Sequence, residues 1–214
     1  MKNEFLPLLK LGLVADSHGD PEILKKAFDV LAIHGAEKIV HLGDFFDSRN
    51  CNYIEEILDL LKCRKVLAVK GNNDYQVEKM IEAGSFPISV HKRKQWLTFL
   101  QKIPIIIEFD SVCCCHSMPF KSIRAFYDPV DTGSVEQAAG IFEKTGYQVV
   151  FCGHSHAPAV FRYQKGKVAR SSLAGRTSME FKSDQRYIVI VGAAENNECA
   201  VFDMGNFHYK RIKI

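Results

Sequence analysis

The 214-residue chain has no strong surplus of either charge, no long apolar run and no disulfide framework, and each absence removes a class of function. Its formal net charge of +3, from 28 Lys and Arg against 25 Asp and Glu, is too small to draw it onto nucleic acid or an anionic membrane without a local basic patch. No cluster of arginines and aromatics marks an elongated groove, so nucleic acid is not an expected partner. The longest charge-free stretch is far short of a bilayer span, which excludes a spanning helix. Residues 1–11 contain Glu4, only a short apolar core and no small-residue cleavage site, so no signal peptide is expected. The seven cysteines are Cys51, Cys63, Cys113, Cys114, Cys115, Cys152 and Cys199. An odd number, three of them adjacent in a β-rich apolar stretch, does not suit a secreted disulfide scaffold. Adjacent strand residues face opposite sides, so Cys113, Cys114 and Cys115 cannot all serve one metal. They are expected to be reduced, buried small hydrophobes, in a cytoplasmic protein. Internal repeats, linkers and low-complexity segments are also missing.

What is present is an ordinary globular composition, 47% hydrophobic and 25% charged, in a length that suits one domain over residues 1–214. Residues 10–15 form a continuous apolar run, the pattern of a strand buried on both faces. A helical spacing follows over 21–34, with Ile23, Leu24, Ala27, Phe28 and Leu31 on one face, Asp20 as N-cap and Pro21 at the first helical position. Strands at 38–42 and 64–69 and a helix at 52–62 complete a βαβαβ alternation. That order predicts parallel strands with right-handed crossovers, their carboxyl ends on one rim. Helical stretches over 75–84 and 92–101, two short strands at 104–109 and 112–115, a covering loop over 117–133, a helix at 134–145 and a strand at 147–152 come next. The last sixty residues show no helix, only strand-like runs at 159–163, 167–170, 186–191, 199–203 and 207–213. The simplest burial for so many strands is an α/β, four-layer αββα sandwich of two mixed sheets flanked by helices.

Polar clusters end several of these strands: Asp16-Ser17-His18, Gly43-Asp44, Gly71-Asn72-Asn73-Asp74, a lone His116, and Gly153-His154-Ser155-His156. Singly each is weak, since Asp-x-His can be a helix cap and Gly-Asn-Asn-Asp a plain turn. Together, in this order, at the ends of strands that the topology sends to one rim, they form a candidate site where open α/β sheets bind ligands.

This series resembles the calcineurin-like metallophosphoesterase superfamily, most of all its small, single-domain bacterial and archaeal phosphodiesterase branch. The likeness extends to the phrasing IVHLGD (39–44), VLAVKGNND (66–74) and VVFCGHSHAP (149–158), and covers about residues 8–165. The resemblance implies two divalent ions. The first would take Asp16, His18, Asp44 and His156, and the second Asp44, Asn72, His116 and His154, with Asp44 bridging. Mixed oxygen and imidazole donors suit Mn²⁺ first, with Fe, Zn²⁺ or Ni²⁺ as alternatives. Ions roughly 3.5–4 Å apart would acidify a bridging water, and the resulting hydroxide would attack phosphorus in line. The implied activity is hydrolysis of phosphodiesters or small phosphorylated metabolites. Phosphomonoesterase, phosphoprotein phosphatase and nucleotide pyrophosphatase activities are the enzymatic alternatives. A non-catalytic scaffold of this fold is the other class, disfavoured because every ligand position is kept.

Two positions depart from the family pattern. Many relatives carry, where this chain has Asn73, a His that pairs with the following Asp and protonates the leaving group. Asn cannot do so, and general acid catalysis is worth roughly 10²–10⁴-fold. The departure favours diesters, good leaving groups or a proton from elsewhere. Asp74 then has two open roles, orienting Asn72 or stabilising the turn. Relatives also often carry an Asn-Pro-Gly-Ser-like turn where this chain has Ile190-Val191-Gly192-Ala193. For phosphate binding, Arg49 and Arg124 are candidate clamps, because guanidinium matches phosphate in a bidentate way, and solvated surface arginine is the competing reading. Phe126 and Tyr127 are expected to pack the covering loop, Lys92-Arg93-Lys94 to start a helix in solvent, and His41 to pack beside the site. His34, His91 and His208 are expected on the surface.

Overall fold

The first strand, β1 (Lys10–Val14), is apolar throughout after Lys10 because layers cover it on both sides. The computed structural model describes residues 9–50, 52–86, 88–132 and 134–214. Most of the segment considered for a signal peptide, together with Cys51 and the last residue of the covering loop, lies outside the described residues. After β1 come α1 (Pro21–Ile33), β2 (Lys38–His41), α2 (Ile54–Cys63), β3 (Leu67–Ala68), α3 (Asn72–Glu82) and α4 (Val90–Lys102). Then follow β4 (Ile106–Phe109), β5 (Val112–Cys115), α5 (Glu136–Lys144), β6 (Val149–Cys152), β7 (Ala159–Gln164), β8 (Lys167–Ser172), β9 (Ser178–Glu180), β10 (Arg186–Ile190), β11 (Glu198–Asp203) and β12 (His208–Lys213). Helix α1 starts as its sequence dictates. The Asp20 side chain accepts from the N–H groups of Glu22 (2.9 Å) and Ile23 (3.0 Å) ahead of a buried apolar stripe.

The strands form two mixed six-stranded sheets, ordered β3-β2-β1-β11-β12-β9 and β4-β5-β6-β10-β7-β8. In the first, β1, β2 and β3 are parallel as the βαβαβ pattern predicts. In the second, β5, β6 and β10 are parallel. Three apolar cores separate the layers. One packs α1 to α4 on the first sheet, the second lies between the sheets, and the third packs α5 on the second sheet. Side chains alternate accordingly: Leu11, Leu13 and Ala15 enter the core between the sheets while Val14 faces the helices. The same alternation puts Cys114 between the sheets and Cys113 and Cys115 under α5, so the cysteine run is shared by two cores. The four-layer α/β sandwich expected from the sequence is the fold observed.

Differences in detail have local causes. The strand expected over 64–69 pairs only at Leu67–Ala68, on the sheet edge. The helix expected from residue 75 begins at Asn72, inside the Gly-Asn-Asn-Asp cluster, because Asp74 is its third residue and closes a capping arrangement. The short strand β9 was not legible in the sequence. The rim also belongs to both sheets: the first brings Asp16, Asp44 and Asn72, and the second brings His116, His154 and His156.

Asp74 fixes how these strand ends meet. Its carboxylate accepts from the N–H of Gly71 (2.9 Å), Asp44 (2.8 Å) and Phe46 (3.0 Å), tying the start of α3 to the loop after β2. Of the two roles open to it, stabilising the turn is the one its contacts show. We predict that Asp74→Ala lowers stability by about 2–4 kcal/mol, because three donors lose their acceptor in a buried place. Urea unfolding measures this, and a midpoint equal to the parent's would show that the turn holds without the carboxylate.

Candidate metal centre

Five residues at the strand ends have left-handed backbone: Asp16 (φ 52°), His18 (41°), Asp44 (54°), His154 (71°) and His156 (55°). Such conformations cost L-residues on the order of 1–2 kcal/mol each, and they cluster where function requires them. Here they turn side chains from both sheets into the junction. Two glycines make the close approach possible. A Cβ at Gly71 would run into the Asp44 carboxylate, and one at Gly153 would run into that of Asp16.

The donor atoms gather in two groups. In the first, His18 Nε2 lies 3.1 Å from His156 Nε2, which is 3.6 Å from Asp16 Oδ1. Asp16 Oδ2 accepts from the His154 N–H at 3.0 Å, whereas Oδ1 is buried with no hydrogen-bond partner among the described residues. In the second, His116 Nε2 lies 3.1 Å from His154 Nδ1, 3.0 Å from Asn72 Oδ1 and 3.5 Å from Asp44 Oδ2. His116 Nδ1 donates to the Leu42 carbonyl at 2.9 Å, which leaves its Nε2 lone pair facing this group. Reversing the Asn72 amide would give hydrogen bonds to both imidazoles. With its oxygen inward, three lone pairs converge instead, and a cation is what satisfies that arrangement. Separations of 3.0–3.1 Å are those of neighbouring ligands around an ion with bonds of about 2.1 Å.

Charge points the same way. Asp16, Asp44 and Asp74 are 0%, 2% and 0% exposed, and among the described residues no Lys or Arg pairs with them. Burial and then the neighbouring Asp44 carboxylate push Asp74 up to about 7. Burial would raise Asp16 too, but the His156 ring 3.6 Å away and the charge of His116 outweigh it and hold it low. Burial disfavours a charged His116, yet Asp44 and Asp16 overcome that and raise it. The Asp16 carboxylate, 3.6 Å from the ring, leads in lifting His156 to about 9, while burial and His116 lower His154. Buried carboxylates with no fixed cation are costly. The donor set fits divalent ions.

Asn73 does not stand free in the site. Its side-chain amide donates to Asp44 Oδ2 at 2.8 Å, its backbone N–H donates to Asp44 Oδ1 at 2.9 Å, and its Oδ1 accepts from the Ser48 hydroxyl at 2.7 Å. A cavity of about 540 Å³ opens over the centre, lined by His18, Arg49, Asn72, Asn73, Tyr127 and His156 among others. Arg49 is therefore at the cavity wall. Arg124 is not: its side chain is 88% exposed and lies 3.5 Å from Asp128. Phe126 is buried beside Tyr75, while Tyr127 lines the cavity. His41 is packed, 3.1 Å from the Ser17 hydroxyl, and His34, His91 and His208 lie away from both groups. Sequence reasoning missed Glu195, which lines the cavity and reaches His156 Nδ1 at 2.6 Å. No motif marked it, because it sits in the tail segment where the family's polar turn is replaced.

Residues 9–195 match the family model of the calcineurin-like phosphoesterase superfamily domain. The chain is 24% identical over 157 residues to a phosphodiesterase of Methanocaldococcus jannaschii, covering 69% of this chain and 74% of that one. In fold it is similar to a metallophosphoesterase from Sphaerobacter thermophilus, with a TM-score of 0.73 at 18% identity, over 96% of this chain and 88% of that one. An archaeal phosphodiesterase is similar with a TM-score of 0.52 at 16% identity, over 96% and 100% of the two chains. With the ligand clusters converging at the junction of its two sheets and the family model spanning nearly all of the described residues, this chain belongs to the calcineurin-like phosphoesterase superfamily.

Proposed function

We propose that the chain is a binuclear-metal phosphoesterase that hydrolyses phosphodiesters or small phosphorylated metabolites in the cytoplasm. The observation that carries this reading is the pair of converging donor groups, Asp16–His18–His156 and Asn72–His116–His154, with the Asp44 carboxylate beside the second. Asp16, His18, Asp44 and His156 would hold one ion and Asp44, Asn72, His116 and His154 the other, with Mn²⁺ favoured over Fe, Zn²⁺ or Ni²⁺ for such mixed donors. The ions would supply a water acidic enough to act as nucleophile near neutral pH, and positive charge for the phosphoryl oxygens.

The residues around the centre favour a diester. Arg49 at the cavity wall can grip a phosphate in a bidentate way. Asp47 and Glu195 line the same cavity, and their carboxylates oppose the second negative charge that a monoester carries. Asn73, which holds the Asp44 carboxylate, has no proton to give a leaving group. The phosphodiesterase name of the Methanocaldococcus jannaschii relative is consistent with that preference. The free buried cysteines support a reducing compartment. Among the described residues no helix is long and apolar enough to cross a membrane.

Three outcomes are expected. First, metal-stripped protein reloaded with Mn²⁺ should cleave bis-p-nitrophenyl phosphate with a kcat/KM at least about tenfold above that for p-nitrophenyl phosphate, and Asp44→Asn should abolish both activities. A fully loaded protein inert towards both esters would sink the enzymatic reading. Second, Asn73→His should raise turnover of alkyl or poorly activated aryl diesters by roughly 10²-fold while changing nitrophenyl esters little. An equal gain across leaving groups would show that proton donation is not the limitation. Third, metal uptake should release protons. His156, held at about 9, must lose its proton to become a ligand, so from this group alone affinity should fall about tenfold per pH unit below that value. Calorimetric titrations at pH 6, 7 and 8, in buffers of different ionisation heat, measure both effects.

A further inference from the structure

The two halves of the centre are not backed alike. His116 is oriented by a neutral group, its Nδ1 donating to the Leu42 carbonyl at 2.9 Å. His156 is oriented by a charged one, its Nδ1 lying 2.6 Å from Glu195 Oε1. Beside the inward nitrogen of His156 stands the Asp16 carboxylate at 3.6 Å, whereas beside that of His116 stands the uncharged amide of Asn72 at 3.0 Å.

Glu195 is held in place by its backbone. It belongs to a single 3₁₀ turn, Ala194–Asn196, in the connection that leaves the second sheet after β10 and enters the first at β11. The Ala194 N–H donates to the Ala15 carbonyl at 2.7 Å, and the Glu195 N–H donates to the Asp16 carbonyl at 3.2 Å. The turn closes through Asn196 and Asn197 N–H groups onto Ala193 and Ala194, with Asn197 in the left-handed region at φ 59°. Glu195 is thereby docked on the backbone of the residue that supplies the neighbouring ligand. Although its side chain is 41% exposed, the carboxylate is delivered to one ring nitrogen.

We propose that Glu195 is a positioning residue that makes the metal centre unequal, so that the Asp16–His18–His156 half takes its ion first and more tightly than the Asn72–His116–His154 half. The inference rests on the metal-centre reading above. A carboxylate on Nδ1–H fixes the tautomer with the Nε2 lone pair toward His18 and Asp16. Its charge also strengthens that lone pair as a donor. Partners of this kind are worth about 10- to 100-fold in metal affinity. The cavity adds a reason for the order, because His18, His156 and Glu195 all line it whereas His116 and His154 do not.

The test is calorimetric titration of the metal-stripped full chain with Mn²⁺. The parent should load in two resolved steps. Glu195→Gln keeps the shape and one acceptor oxygen but removes the charge. It should weaken the tighter step by about 10- to 100-fold and leave the weaker step unchanged. In an Asn72→Ala background, which removes a ligand of the second half, the effect of Glu195→Gln should persist. In a His156→Ala background it should vanish. Metal-free thermal unfolding of Glu195→Gln should match the parent, which separates positioning from a general loss of structure. Equal weakening of both steps, or no change in either, would overturn the inference and leave the binuclear reading standing. Failure of the parent to take up any divalent ion would overturn both.

Discussion

The molecule is organised around buried negative charge that, among the described residues, has no fixed positive partner. Asp16 and Asp44 end neighbouring parallel strands of one sheet, and Asp74 lies behind Asp44 at the start of α3. Interior carboxylates are usually neutralised by Lys or Arg, and here the nearest compensation is imidazole. Everything nearby serves that arrangement. Asp74 collects three backbone N–H groups, Asn73 gives two hydrogen bonds to Asp44, and the His154 N–H covers one oxygen of Asp16. What is left over is one bare Asp16 oxygen and a set of inward lone pairs.

Holding this arrangement sets the fold against its own preferences. Five non-glycine residues of the site adopt left-handed backbone, and glycines are required where Asp16 and Asp44 press against the opposite loop. Such strain persists only where rigid surroundings impose it, and the three apolar cores provide them. The site is therefore preorganised by the two sheets. The apolar layers hold the donor atoms near 3 Å from one another although those atoms repel.

The legible part of this protein was its periodic part and its motifs. The run at 10–15, the stripe on α1 and the parallel β1–β2–β3 unit follow directly from apolar spacing, and the ligand clusters stand at the strand ends that spacing predicts. Three kinds of information were not local. The two-residue pairing of β3 and the short β9 depend on edge partners far away in the chain. The role of Asp74 depends on Asp44 and Phe46 coming within reach of one carboxylate, which no spacing encodes. Glu195 was invisible because a lone acidic residue in a polar turn reads as solvated surface until the tertiary fold docks that turn on Ala15 and Asp16. Arg49 and Arg124 were equivalent as sequence, and only the cavity separates them.

The pairing of β1 with β11 has a consequence for how the molecule comes into being. Lys10 stands opposite Asp203 and Leu13 opposite Ala200, so the strand bearing the first ligand cluster keeps an open edge until nearly the whole chain is available. Until β11 arrives, Leu11 and Leu13 have only part of their cover, and the nascent chain presents an apolar strand edge of the kind that invites wrong pairing. Contacts this distant in sequence slow folding, since a large loop must close before they form. An incomplete chain lacking β11 would thus hold every donor atom of the centre yet lack the strand that locks Asp16 in position.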